Sequence, residues 1–356
     1  MKKFKNRLLL ISICSVIAFF MVFFVFNKKE SFSEEENRYL SSFKISELSD
    51  YVSDHFPLRN KLIALKNNVE LLTGKTMIND IYIGKDDYLI SRFENTDKND
   101  AIINVINEFT KINKNVDVMI VPDSITINED KLNYHPPIDE DRELDYVFSR
   151  LECNYLDVRD ELFFQNRSYN NQYYRTDHHW TSFGAYTAYS KYMEYKGKEP
   201  LSLDEMNMEK VSSDFLGTSS SMAIGIAKKE EMYMSKKDLD LTVEYVNEGV
   251  VTDTMYNLEY LNKKDKYAAF FDNNHALIKV TNNSIHDGSG IAIIKNSYAN
   301  SFAPFIVNNY QYVYLIDLRY FSENVSDFIK ENGIEDILIL YNLNNLYSDL
   351  SIVKLK

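Results

Sequence analysis

Asp177 and His179 stand one residue apart in the string TDHHWTSFGAY (176–186). An aspartate two residues before a histidine can accept the imidazole Nδ1–H, fix its tautomer and stabilise the imidazolium, which makes the two a candidate base and orienter. Such a pair drives acyl transfer when a nucleophile lies within reach. Ser297 closes the apolar run GIAIIKNS (290–297) and stands directly before a stretch with helical spacing. Ligands of parallel α/β sheets gather at the carboxyl ends of strands, and the N-terminus of a following helix offers backbone N–H groups to an oxyanion. Ser301 competes on proximity but falls inside the helical stretch. Asn296 and Tyr298 flank the serine and are candidates for oxyanion or substrate contact. Arg319 and Asn342 end later strands. Arg319 suits an anionic glycan, the oxyanion or a salt bridge with Asp317, and Asn342 suits substrate positioning or a helix cap. Trp180, the single tryptophan of the chain, suits stacking on a sugar ring or anchoring the core beneath the Asp–His loop.

These residues need a scaffold that brings position 179 to position 297. From about residue 100 the pattern alternates between helix and strand. NDAIINVINEFTKINK (99–114) and DEDRELDYVFSRLE (139–152) have helical apolar spacing, while VDVMIVP (116–122) and CNYLDV (153–158) read as strands. GIAIIKNS (290–297), YVYLIDL (312–318) and DILILYN (336–342) are the apolar, β-branched runs of strands buried on both faces. Helical stretches at 300–310 and 322–333 lie between them, the second with Ser322 as N-cap and Gly333 at its end. The order implies an α/β fold with a parallel sheet flanked by helices. Thr181 or Ser182 caps a helix running to about Tyr195, so residues 177–180 occupy a loop before a helix N-terminus. Residues 200–282 break the rhythm and read as an inserted α+β region or lid, with a hairpin YAAFFDNNHALIKV around Asn273-Asn274.

Leu8 to Phe26 is an uncharged run of apolar residues, long enough to cross a bilayer core of about 30 Å. Lys2, Lys3, Lys5 and Arg7 precede it and place the N-terminus in the cytoplasm, so the rest is extracytoplasmic and held by a single uncleaved pass in the cell membrane. The expected organisation is a cytoplasmic stub and anchor over 1–27, a stalk and lead-in over 28–95, and the α/β domain over 96–356 with its insertion at about 200–282. Asp54-His55-Phe56-Pro57 reads as a turn with Arg59 as a salt partner, not as a catalytic cluster. The 356 residues carry 40 basic and 53 acidic side chains, a net charge of −13, with no basic stripe. That excludes a nucleic-acid partner, because phosphate neutralisation needs clustered Lys and Arg. Two cysteines, Cys14 and Cys153, cannot form a disulfide framework or a cysteine-based zinc site.

The strings FSEEENRYL (32–40), YVSDHFPLRNKL (51–62), TDHHWTSFGAY (176–186), KNSYANSFAPF (295–305) and IDLRYF (316–321) together resemble the DHHW protein family. More distantly they resemble the SGNH-like acetyltransferases of the alginate O-acetylation type. The resemblance implies an SGNH-hydrolase-like domain in a bacterial envelope protein. In those acetyltransferases the Asp and His of a T-D-x-H-W motif precede a serine in a D-S or N-S step. By position Asp177 then orients, His179 is the general base and Ser297 attacks, with no cofactor and no metal. Lys295-Asn296-Ser297 stands where the usual signature is G-D-S. The activity implied is a serine-dependent O-acetyltransferase or esterase acting on a cell-surface polysaccharide. A membrane acyl-donor protein is the implied partner, since acetyl groups must cross the bilayer. The alternative is a non-catalytic envelope protein that binds glycan or scaffolds an assembly. Asp-His-His also resembles a motif of metal-dependent phosphoesterases, but these need Asp-rich strand ends upstream, and VPDS (121–124) is too little of one.

Overall fold

The computed structural model describes residues 2–26, 31–134 and 139–355. The chain divides into two compact units, one of residues 1–75 with 221–226 and one of 76–220 with 227–356. The first holds helix α1 (Lys2–Phe26), a short antiparallel pair (Phe32–Ser33 with Arg38–Tyr39), α2 (Leu48–Asp54) and α3 (Arg59–Leu72). Among the described residues no helix is long and apolar enough to cross a membrane. The expected anchor, Leu8 to Phe26, falls in part on residues whose side chains lie outside the description. The two glutamate- and arginine-rich motifs of this unit meet as an ion-pair cluster. Arg38 binds Asp54 at 2.6 Å and Glu36 at 2.7 Å, and Arg59 also binds Glu36. His55 is buried with its Nδ1 2.9 Å from the Tyr51 carbonyl, so DHFP is a structural turn as its proline suggested.

The second unit is built on an eight-stranded sheet. Its strands are β1 (Val116–Val121), β2 (Asn154–Tyr155), β3 (Leu241–Tyr245), β4 (Val250–Thr252), β5 (Leu277–Asn282), β6 (Gly290–Lys295), β7 (Tyr312–Ile316) and β8 (Asp336–Asn342). Their order across the sheet is β4-β3-β5-β7-β6-β8-β1-β2. The run from β7 to β2 is parallel, and β4, β3 and β5 extend it with antiparallel pairs. Alternate residues of the central strands serve two cores. Met119, Val121, Ile291, Ile293, Leu338 and Leu340 face one cluster, while Val118, Ile120, Ala292, Ile294, Ile337 and Ile339 face the other. Helices α4 (Asn99–Ile112), α5 (Glu140–Arg150) and α8 (Val325–Glu331) supply apolar residues to the second cluster. Helices α6 (Ser182–Tyr195) and α7 (Tyr298–Ile306) supply the first. Consecutive crossovers from β6 and β7 thus lie on opposite faces, the arrangement in which ligands of parallel sheets gather at the carboxyl ends of strands.

Three local expectations change. The cap of α8 is Asn324, whose side chain accepts the Asp327 N–H at 3.0 Å, and Ser322 lies outside the helix. The helix after β6 begins at Tyr298, directly behind Ser297. No hairpin forms around Asn273-Asn274. Phe271, Asp272 and Asn273 all have positive φ (55°, 53° and 81°), and the following strand β5 pairs with β3 and β7 instead. The residues before that turn, Tyr267–Ala269, form a short helical segment, so no strand leads into it to pair with β5.

Helix α6 starts as the sequence indicated, with Thr181 Oγ1 accepting the Gly184 N–H at 3.2 Å. Gly184 itself packs on backbone, and a Cβ there would lie 2.3 Å from the Gln172 carbonyl oxygen. In an open helix Gly→Ala stabilises by about 1 kcal/mol; here the added methyl must displace a neighbouring chain. Gly184→Ala is therefore expected to destabilise by about 1–3 kcal/mol, read as a lower urea midpoint with an unchanged slope. A raised midpoint would show that residue 172 yields freely.

Candidate active site

The DHHW loop reaches the carboxyl edge of β6. His179 Nε2 lies 2.7 Å from Ser297 Oγ, and His179 Nδ1 lies 2.5 Å from Asp177 Oδ1. With Nδ1–H donated to the carboxylate, Nε2 is left to accept the serine proton. Asp177 is 2% exposed and accepts three further hydrogen bonds. They come from the His179 N–H at 2.9 Å, the Thr218 N–H at 2.6 Å and the Thr218 hydroxyl at 3.1 Å. Burial opposes its charge, yet His179, His178 and these donors hold its pKa well below the usual carboxylate range. His178 Nδ1 donates to Thr218 Oγ1 at 2.6 Å. Burial foremost, and then the neighbouring His179, push the His178 pKa down to about 4, which keeps that ring neutral beside the base. Asp177, His178 and His179 carry possible ligand atoms within 4.8 Å of one another, but both Asp177 oxygens and both His179 nitrogens are engaged in the bonds just given.

Parts of the site come from segment 200–282. A Cβ on Gly217 would lie 2.0 Å from Asp177 Oδ2, so only glycine lets the chain approach and present Thr218. Tyr267 stacks on the His179 ring with centroids 3.8 Å apart and planes 8° apart. Its hydroxyl bonds the Ser297 carbonyl at 3.1 Å and Ser301 Oγ at 3.0 Å, and burial keeps the phenol protonated. Glu230 accepts the Arg175 N–H, the Thr176 N–H and the Thr176 hydroxyl at 2.9, 2.8 and 2.6 Å, which pins the start of the DHHW loop.

The residues expected to meet substrate divide. Asn296, Tyr298, Asn342 and Trp180 are each at most 1% exposed, which corrects the expected substrate contact for Asn296, Tyr298 and Asn342 and selects, for Trp180, the core anchor over the sugar-stacking alternative. Trp180 Nε1 donates to the Tyr298 carbonyl and Ser301 Oγ. Asn296 Oδ1 accepts the Tyr298 N–H at 3.1 Å, so that amide is not free for an oxyanion. Asn296 Nδ2 donates to Asn342 Oδ1 at 2.5 Å, and Asn342 Nδ2 donates to Asp123 Oδ1 at 2.5 Å. Arg319 is held by Asp317 through Nε and Nη2 at 2.9 and 2.5 Å, the salt bridge weighed for it. On the same carboxylate lies Lys295, fully buried, 3.7 Å away. Burial brings its ammonium down to about 8.

The chain matches the DHHW protein family over residues 64–316. It belongs to the DHHW family. A DHHW family protein from Eubacterium siraeum shares the fold at 20% identity and a TM-score of 0.66, over 78% of this chain and 95% of the other. Bacillus cereus PatB1, also described with a sulfonyl adduct, is similar at 20% identity and a TM-score of 0.62, over 78% of this chain and 99% of its own. At such identity the likeness establishes a shared fold. No curated protein matches the chain.

In this DHHW protein the sequence left Gly217, Thr218, Tyr267 and the Asp123–Glu140 pair unassigned. GTSSS (217–221) shows in the sequence only as a break in rhythm, VPDS reads only as a fragment of a metal motif, and Tyr267 is one of 26 tyrosines. Asp123 follows β1 and receives bonds from Asn342, the Asn344 N–H at 2.9 Å and the Tyr298 hydroxyl at 3.4 Å, tying the ends of β1, β8 and β6 together. Glu140 lies under it, accepting the Asp123 N–H at 2.8 Å and the Thr126 hydroxyl at 2.6 Å. Burial, and then the adjacent Asp123 charge, raise Glu140 well above the usual carboxylate range.

Two outcomes are expected. A carboxyl group raised on folding binds its proton more tightly when folded, so its contribution to stability is present at low pH and declines once pH exceeds the unfolded value near 4.3. Glu140→Gln removes that decline, and its melting temperature should gain on the wild type as pH rises from 5 to 8. Parallel curves would mean that Glu140 is ionised throughout. Tyr267→Leu removes the ring that holds the imidazole. It should slow fluorophosphonate labelling of Ser297 about tenfold or more and weaken the low-field proton signal of the His179–Asp177 bond, with Tyr267→Phe restoring most of both. Equal labelling by the Leu and wild-type proteins would make the stack incidental.

Proposed function

We propose that the chain is an O-acyl transferase or esterase, with acetyl as the acyl group, that acts outside the cytoplasm on a cell-surface polysaccharide. The observation that carries this reading is the continuous Ser297–His179–Asp177 hydrogen-bonded chain at a sheet edge. His179 Nε2 takes the Ser297 hydroxyl proton as Oγ attacks the carbonyl carbon of an acyl ester. The resulting oxyanion is met by the Ser297 backbone N–H, which among the described residues has no other partner. Collapse expels the alcohol, which takes the proton from the imidazolium, and leaves an acyl-serine. A sugar hydroxyl or water then gives its proton to His179 and attacks the acyl carbon, releasing a new ester or a free acid and restoring Ser297. Asp177 stays ionised throughout, because its four hydrogen bonds favour the carboxylate at every step.

The polysaccharide and the acyl-donor membrane protein belong to this proposal on the strength of the family likeness. The anchor at Leu8 to Phe26 belongs to it on the strength of an uncharged apolar run flanked by basic residues.

The test is covalent labelling with a serine-reactive fluorophosphonate, followed by peptide mapping. Stoichiometric modification is expected at Ser297 and should vanish in Ser297→Ala. With a chromogenic acetyl ester, Ser297→Ala and His179→Ala should each lose about 1,000-fold or more in kcat, and the double variant should be no slower than either, because the two act as one unit. Turnover retained by Ser297→Ala would overturn the assignment.

A further inference from the structure

Helix α3 is amphipathic in the wrong sense for a helix that ends at its own unit. Leu58, just before it, and Leu62, Leu65, Val69 and Leu72 recur at spacings of four and three residues and share one face. All five are exposed, from 43% to 88%. The one buried residue of α3 is polar: Asn67, whose Nδ2 donates to the Ile224 carbonyl at 3.0 Å. Gly225 abuts the same inner face, where its Cβ would meet Ala64 Cβ at 2.3 Å, and Asn68 bonds the Gly225 carbonyl at 3.3 Å. These contacts fix which side of the helix faces out. Single exposed leucines are ordinary, but a continuous stripe over four turns marks a surface that is covered in use.

Charge decides what covers it. Arg59, Lys61 and Lys66 flank the stripe, at the positions that meet across a two-helix seam. A second copy packed in parallel would set Lys61 against Lys66 of the other copy. Lys66 pairs with Glu70 at 3.3 Å and Arg59 with Glu36, while Lys61 has no acidic partner among the described residues. An apolar stripe edged by cations suits an anionic bilayer surface, with the leucines in the acyl boundary and the lysines at the phosphates. Helix α1, whose described apolar residues from Leu9 to Val22 are also exposed, lies in the same unit.

We propose that α3 lies on the anionic lipid surface through Leu58, Leu62, Leu65, Val69 and Leu72, holding the first unit against the membrane. This rests on the proposed membrane location but not on the acyl-transfer chemistry.

The test uses the full chain, with both native cysteines replaced by serine, in nanodiscs of phosphatidylglycerol and phosphatidylcholine. An environment-sensitive fluorophore is placed singly at Leu65, at Val16 in α1, or at Ile112, an exposed position of the second unit. The labels at Leu65 and Val16 should be blue-shifted and shielded from aqueous iodide, and that at Ile112 should be quenched freely. Lys61→Glu/Lys66→Glu, or discs of phosphatidylcholine alone, should reduce the shielding at Leu65 severalfold and leave Val16 unchanged. A Leu65 label quenched as freely as Ile112 while Val16 stays shielded would overturn the proposal but keep the anchor. Val16 quenched as well would remove the anchor reading. Shielding of Leu65 that persists in detergent, together with a doubled mass, would assign the stripe to a second copy and overturn the membrane assignment.

Discussion

The second unit is organised around one buried charge. A carboxylate at position 177 without compensation would cost several kcal/mol in lost hydration, and a neutral acid there would accept the His179 Nδ1–H more weakly than the carboxylate does. Four donors within hydrogen-bond distance remove that penalty. Each donor imposes a demand elsewhere. The Thr218 N–H reaches the carboxylate only because residue 217 has no Cβ, and the His179 N–H requires the tight loop that Glu230 pins at Thr176. The neutral His178 satisfies the remaining capacity of the Thr218 hydroxyl without adding a second positive charge beside the base.

That arrangement distributes the site over separate parts of the fold. The sheet edge supplies Ser297, the loop before α6 supplies His179 and Asp177, and segment 200–282 supplies Thr218 and the Tyr267 ring that hold them in register. Strands β3, β4 and β5 of that segment join the main sheet, with Tyr267 between β4 and β5, while Thr218 lies between Met208–Phe215 and Glu230–Ser235, which pair with each other. A segment anchored in this way positions side chains in a manner that a hinged lid could not.

Much of this was legible in the sequence because it depends on periodicity. Residues 118–121, 291–294 and 337–341 are apolar at every step, as the middles of strands buried on both faces must be. Asp177 and His179 are legible because their relation is local, and Ser297 because the end of a buried strand, before a helix, is where ligands of a parallel sheet gather. Tyr267 was invisible for the opposite reason. It lies 88 positions from His179 (267 − 179), and stacking leaves no spacing rule behind. Gly217 carries information only once Asp177 is known to lie against it. The expected hairpin failed because Asn273-Asn274 is a turn signal that does not say which strand the turn leads to; β5 has partners on both sides that lie far off in sequence.

The departure from a G-D-S step also has a physical account. Asn296 Oδ1 holds the Tyr298 N–H, and its Nδ2 donates to the Asn342 oxygen, whose own amide donates to Asp123. This is a directional chain of donors that ends on a carboxylate. An aspartate at 296 could accept the Tyr298 N–H but could not donate to Asn342. It would bring a third acid toward the Asp123–Glu140 pair, where burial already makes a second ionisation unfavourable. Asn342 would have to flip its amide, turning its oxygen toward Asp123 and leaving two acceptors facing each other. With the acid lodged at the end of β1, an amide at 296 completes a chain of donors to Asp123 that a carboxylate at that position would break.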